Sequence, residues 1–225
     1  MAENVVIRRA TNLDVGFLVE AIVEAEKSGT HLLSYSTIFD LSEDSVHALL
    51  SSMLREDLVG QEICISGFLL AETDSSPVAA CCAWIEGLDG ISSSLLKANL
   101  LLHYVDADHM QAAQRHLRKL EALTIPRETG AIQIESVYVK APARGHGLAA
   151  LLIQRHFDDL RPRAAKGKAQ VILASTNRSA RTAYEKLGFK VVAERSSEDP
   201  SLSTLIPARQ KLMMEKTLEG VRGPW

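Results

Sequence analysis

The chain has 225 residues, 46% hydrophobic and 24% charged, with a net charge of −3. That suits one globular domain, or one carrying an insertion, with enough apolar mass for a core. No basic stripe with interleaved aromatics is present, so nucleic acid is a poor partner. No apolar run reaches the ~18 residues a membrane span needs and no N-terminal run resembles a signal peptide, so a cytoplasmic protein is expected.

The elements follow in chain order. Residues 5–8 alternate into a first strand. Thr11 or Asn12 caps a helix over 13–27, with Val15, Leu18, Val19, Ile22 and Val23 inward. Residues 30–41 read as a loop carrying Tyr35 and Phe39. Ser42 caps a second helix with Val46, Leu49, Leu50 and Met53 on one face. Strands are predicted over 63–71 and 78–85, joined as a hairpin through Asp74-Ser75-Ser76-Pro77. Cys64, Cys81 and Cys82 fall in these strands without C-x-x-C spacing, which argues for reduced core thiols. Seven histidines are scattered without H-x-x-x-H spacing, so no metal is assigned.

Residues 86–130 form a long connection, and one that long carries its own structure. Helices are predicted over 93–104 and 108–123. The pair packs on the sheet or on a partner copy in a homodimer, or else it forms a lid.

The informative stretch is 132–155. An apolar, β-branched run from Ile132 to Val139 predicts a buried strand. Pro142 stops it, Arg144-Gly145-His146-Gly147 makes a tight turn, and helical spacing resumes at Leu148. A strand entering a helix through glycines offers unpaired amides and a positive dipole end to an anion, with Arg144 as a fixed charge. No Lys-Ser/Thr follows the glycines, so a Walker-type loop is excluded. Gly145-x-Gly147-x-x-Ala150 matches the loose dinucleotide fingerprint. However, the next strand ends in Ser175, Thr176 and Asn177, where that fingerprint wants a carboxylate.

A second segment, Thr176 to Phe189, predicts a helix capped by Thr176 or Asn177. Ala180, Ala183, Tyr184 and Leu187 share one face and Gly188 ends it. Strands over 190–194 and 211–217 close the chain, around a Ser-rich loop over 195–209 and before a loose tail at 219–225.

V-x-V-x-x-P-x-R-G-H-G-L-A followed by N-x-x-A-x-x-x-Y-x-x-x-G-F resembles the GNAT superfamily of acyl-CoA-dependent N-acetyltransferases. The resemblance covers about residues 131–195. It implies a single α/β domain over 1–218, with a mixed, mostly antiparallel sheet of about seven strands flanked by helices; the helical insertion at 86–130 departs from the family, which joins these strands by a short link. It also implies transfer of an acetyl group from acetyl-CoA to an amine in a ternary complex. The amine is a small molecule, a polyamine, or a protein N-terminus or lysine. A non-catalytic acyl-CoA sensor is the alternative.

The coenzyme-binding residues implied are Val137, Tyr138, Val139, Arg144, Gly145, His146, Gly147, Leu148, Ala149, Asn177, Ala180 and Tyr184. The Val139 N–H would polarise the thioester carbonyl, if its strand is splayed. His146 is an incidental donor in that turn. Glu135, a lone carboxylate in an apolar strand, is the candidate base. Burial would raise its pKa towards a useful range. A substrate-cation anchor or a satisfied structural carboxylate is its other reading, and Glu86 is the reserve. Tyr184 is the candidate acid for the leaving thiolate, since a phenol holds its proton above a thiol's range; a core tyrosine is the plainer reading. For Asn177 the plainer reading is a helix cap. Glu198 and Asp199 either attract a cationic amine or sit in a solvated loop.

Overall fold

The computed structural model describes residues 5–218; the tail expected at 219–225 lies outside them. Seven strands form one sheet: β1 (Val6–Arg9), β2 (Phe68–Thr73), β3 (Ser76–Ile85), β4 (Ile132–Val139), β5 (Lys168–Ala174), β6 (Lys190–Ser196) and β7 (Gln210–Thr217). Their order is β1-β2-β3-β4-β5-β7-β6, and β4–β5 is the parallel pair in it. The helices are α1 (Val15–Lys27), α2 (Ser34–Phe39), α3 (Glu43–Arg55), α4 (Ser93–Tyr104), α5 (Ala107–Leu120), α6 (Leu148–Leu160) and α7 (Arg178–Lys186). None among the described residues is long and apolar enough to cross a membrane.

The sheet separates two apolar layers. Leu18, Ile22, Leu50, Met53, Phe68 and Trp84 fill one, beneath α1 and α3. Ile132, Ile134, Leu152, Phe157, Val171 and Met214 fill the other, beneath α6. The entry to α1 is fixed by a capping box, in which Asp14 accepts from the Thr11 backbone while Thr11 caps the turn. Arg8 forks onto both Asp14 oxygens at 2.7 and 2.8 Å and reaches Glu72 at 2.5 Å. These bonds, Arg8's foremost, hold the Asp14 carboxyl down at about 2.

Three sequence expectations need correction. The strand expected from residue 63 begins at Phe68. Asp57 accepts from the Ser66 N–H at 2.8 Å, and the Gln61 side chain takes up the Ile63 N–H at 2.7 Å and donates to its carbonyl at 2.7 Å. Local side-chain bonds thus replace ladder pairing, and Cys64 sits before a 3₁₀ turn instead of in a strand. The hairpin turn is only Asp74-Ser75, both left-handed (φ 50° and 60°), and Pro77 lies inside β3 beside a register shift. The loop expected over 30–41 contains α2, which turns Tyr35, Ile38 and Phe39 into the core.

The insertion packs α4 on α3 and α5 on α2. Leu100, Val105, Ala113 and Leu123 join the layer under α1 and α3. Lys119 reaches Ser201 Oγ at 2.6 Å and Asp199 at 3.5 Å, tying α5 to the Ser-rich loop. The insertion therefore packs on α2, α3 and that loop, and its end reaches the sheet at β6.

One buried polar group ties stability to pH. His156, 2% exposed on α6, donates from Nε2 to the Cys81 carbonyl at 2.9 Å. Burial pushes its pKa down from 6.5 to about 4. The unfolded chain takes up this proton first, so the contribution is full above about 6.5 and falls away towards pH 4. At about 1.4 kcal/mol per pK unit the loss approaches about 3 kcal/mol. Urea unfolding between pH 7 and 4.5 is expected to show it. His156→Gln, which keeps a donor, flattens that dependence.

Candidate functional site

β4 pairs with β5 only through Ile132↔Ala169, Gln133↔Gln170 and Ile134↔Val171. Burial changes at the same point: Ile132 to Ile134 are buried, Glu135 to Val139 half-exposed. On its other side β4 stays on β3, but Ser136 and Val137 stand opposite the single residue Cys81. Ser136 is left-handed there (φ 50°). This is a β-bulge, which bends a strand and reorients its side chains. Its extra residue resets the alternation. Tyr138 joins Glu135 on the α1 side, while Val137 and Val139 face the α6 layer. Tyr138 donates to Glu20 at 2.7 Å and leans on Phe17.

The free edge of β4 presents a donor. The Lys140 N–H bonds to the Val78 carbonyl at 2.8 Å, towards β3. Successive amides in a strand point to opposite edges, so the Val139 N–H faces the side from which β5 has diverged.

At the foot of this gap lies the turn. Gly145 and Gly147 are left-handed (φ 84° and 76°), and a Cβ built on either meets no atom within 4 Å. Packing therefore does not demand glycine; the backbone angle does, and the space in front of the amides stays clear. Helical bonding in α6 starts with the Leu151 N–H on the Gly147 carbonyl at 3.0 Å. The N–H groups of Leu148, Ala149 and Ala150 thus lack intrahelical acceptors. Arg144 is exposed and folds its Nε back on the Val139 carbonyl at 3.0 Å, joining the turn to the strand end. His146 is exposed, its Nδ1 3.3 Å from the Ala143 carbonyl. Clear space, unpaired amides, a helix N-terminus and an arginine suit a diphosphate.

Asn177 caps α7 by accepting from the Ala180 N–H at 3.1 Å, which leaves its amide group free to donate. Tyr184 is buried on α7, edge-on to Phe189 at 5.5 Å. Burial, with Cys81 and Glu135 nearby, raises its pKa well above the ordinary phenol value, so it stays a donor.

Glu135 carries a partner the sequence reading missed. Arg127 donates from Nη2 to its Oε1 at 2.6 Å, with the two side chains 19% and 25% exposed. The guanidinium lies over the Trp84 ring, 5.3 Å from its centroid. A second ion pair, Lys97 to Glu62 at 2.5 Å, adjoins the first. Burial raises the Glu135 pKa, against the pull of Arg127. Burial would raise Glu62 too, but Lys97 and Arg127 overcome it and hold Glu62 at about 2. No motif marks Arg127, Lys97 or Glu62; a cation in a linker pairs with a distant strand only through the fold. Glu86, the reserve base, takes the Trp84 indole N–H at 3.1 Å and the Ser93 N–H at 2.9 Å. One oxygen thus holds Trp84 on β3 and the other the first turn of α4.

The acetyltransferase (GNAT) domain family matches residues 102–203. Residues 102–203 are similar to that domain, and the rest of the chain lies outside the match. The fold of the chain is shared with an N-acetyltransferase of Staphylococcus aureus Mu50 at 14% identity and a TM-score of 0.65, over 94% of this chain and 100% of that one. A ribosomal-protein-alanine N-acetyltransferase of Brucella melitensis matches at 16% identity and a TM-score of 0.54, over 95% and 99% of the two chains. The yncA protein of Salmonella typhimurium, solved with its cofactor acetyl-CoA, matches at 16% identity and 0.53, over 99% and 98%. At such identities the likeness establishes the GNAT fold alone. No curated protein gave a match. The family match takes in the open edge of β4, the glycine turn and α7, and much of the insertion.

Proposed function

We propose that this protein belongs to the GNAT superfamily and transfers an acetyl group from acetyl-CoA to an amine, directly, within a ternary complex. The observation that carries this reading is the open edge of β4 running into an amide-lined turn. One edge donor and one anion site, placed in series, fit a long acyl carrier with a diphosphate at one end and a thioester at the other.

Arg144 and the amides of Gly145, His146, Gly147, Leu148 and Ala149 hold the diphosphate. Asn177 and Ala180, at the start of α7, and Val137 and Tyr138, on β4, flank the arm. Bound there, acetyl-CoA supplies the acetyl thioester. Val139 N–H donates to the thioester carbonyl oxygen. Glu135 takes a proton from the acceptor ammonium, directly or through a water. The freed nitrogen bonds to the carbonyl carbon as the carbon–sulfur bond breaks. Tyr184 gives its proton to the departing sulfur. The nitrogen then gives its second proton to the Tyr184 phenolate, which restores the phenol, and Glu135 releases its proton to solvent, so each turnover sheds one proton.

Calorimetry of the purified protein with acetyl-CoA and with NADH tests the coenzyme first. Binding of acetyl-CoA alone is expected. Release of free CoA thiol across a panel of amines then tests transfer, with stimulation by at least one amine class. Affinity for NADH and none for acetyl-CoA would overturn the reading; binding without release under any amine leaves a sensor.

A further inference from the structure

Glu135 sits where β4 stops being an ordinary strand. Behind it β4 is paired on both sides; immediately after it come the bulge at Ser136 and the divergence from β5. Nothing in the sheet itself orients a carboxylate at such a point. The groups that face it come from elements all round. On its own side of the sheet they are Arg127 from the end of the insertion, Lys97 from α4 and Glu62 from the loop before β2; its charge is felt from farther off by Tyr35, Cys81, Cys82 and Tyr184, the last on α7 across the sheet. Among the described residues only Arg127 makes a side-chain hydrogen bond to it.

Arg127 is itself firmly placed. Ile125 and Ala131, buried on either side, anchor its segment. The Glu86 backbone brackets that segment, donating to the Ala131 carbonyl at 3.0 Å and accepting from the Gly130 N–H at 2.8 Å. Trp84 supports the guanidinium from below, and Trp84 is held by Glu86. The Arg127 Nε is buried without a protein partner, so holding the guanidinium here costs the fold something.

We infer that Arg127 is the positioning residue for Glu135, so that the insertion completes the acceptor side of the site. The inference rests on the reading of Glu135 as the base. A planar guanidinium on an aromatic face has little freedom, so it fixes one carboxylate oxygen and leaves the other for the acceptor. Its charge also favours ionised Glu135 against the burial that opposes it.

The test is the pH profile of kcat/KM with a reactive amine. Arg127→Met keeps apolar packing on Trp84 and removes the charge. Glu135 then holds its proton to higher pH, so the acidic limb is expected to move up by about one unit or more. Arg127→Lys keeps the charge but loses the fork, so the limb stays near its original pH while kcat falls about tenfold, with the KM for acetyl-CoA unchanged. A residue serving only stability would lower the melting temperature and leave the limb in place, and that result overturns the inference. If Arg127→Met does not fold, Arg127→Lys decides, and full turnover in it overturns the proposal. Glu135→Gln separates the two levels. Full activity in Glu135→Gln removes the base reading itself, whereas an inactive Glu135→Gln beside an unmoved limb in Arg127→Met removes only the role of Arg127.

Discussion

Glu135→Gln is expected to lower kcat by about 10²–10⁴, the range a positioned general base contributes, with acetyl-CoA binding intact. The carboxamide keeps the shape and an oxygen for Arg127 Nη2, which now donates to Glu135 at 2.6 Å. The buried guanidinium therefore keeps a partner, and the fold survives where an alanine would strand the charge. What is lost is only the ability to accept a proton. Tyr184→Phe is expected to cost less, about tenfold, because a thiolate can leave without a proton once pH passes the ordinary thiol value of ~8.5. Its deficit should shrink over that range while the Glu135→Gln deficit does not. Steady-state CoA release with a saturating amine, checked against circular dichroism, measures both. Wild-type rates in both variants would remove the assigned roles.

Much of this site was legible because its signals are local. The strand from Ile132 to Val139, the glycine turn and the Asn177 cap each follow from neighbouring residues, and the structure has them at those positions. The start of β2 was misread because Ile63-Cys64-Ile65 is apolar and β-branched. Only the bonds of Asp57 and Gln61 show why it stays out of the ladder. The bulge at Ser136 carries no sequence mark, since serine is not a residue that advertises a left-handed backbone. Yet that one residue turns Tyr138 to the α1 side and marks where β4 leaves β5. Arg127 was illegible for a different reason. Its meaning lies in a pairing with β4 made through the fold, and in a single sequence it reads only as one more cation in a long connection.

The sharpest physical test of the turn is Gly147→Ala measured beside Gly29→Ala. Both glycines are left-handed (φ 76° and 78°), and a Cβ on either meets nothing within 4 Å. Each substitution therefore costs a similar backbone strain, about 1–2 kcal/mol, with no clash inside the protein. Gly29 follows α1, where no helix N-terminus waits. Gly147 is the N-cap of α6, and its Cβ would take up open space next to the first amides of that helix. Losing one charge-assisted hydrogen bond there costs about 1.5–3 kcal/mol, so acetyl-CoA affinity should fall about 10–150-fold in Gly147→Ala. Gly29→Ala should match it in melting temperature and bind as the wild type does. Calorimetry and thermal unfolding on the same samples separate strain from obstruction. Equal affinity in the two variants would mean that the diphosphate is held elsewhere, for a Cβ standing next to unpaired amides cannot be neutral to an anion that needs them.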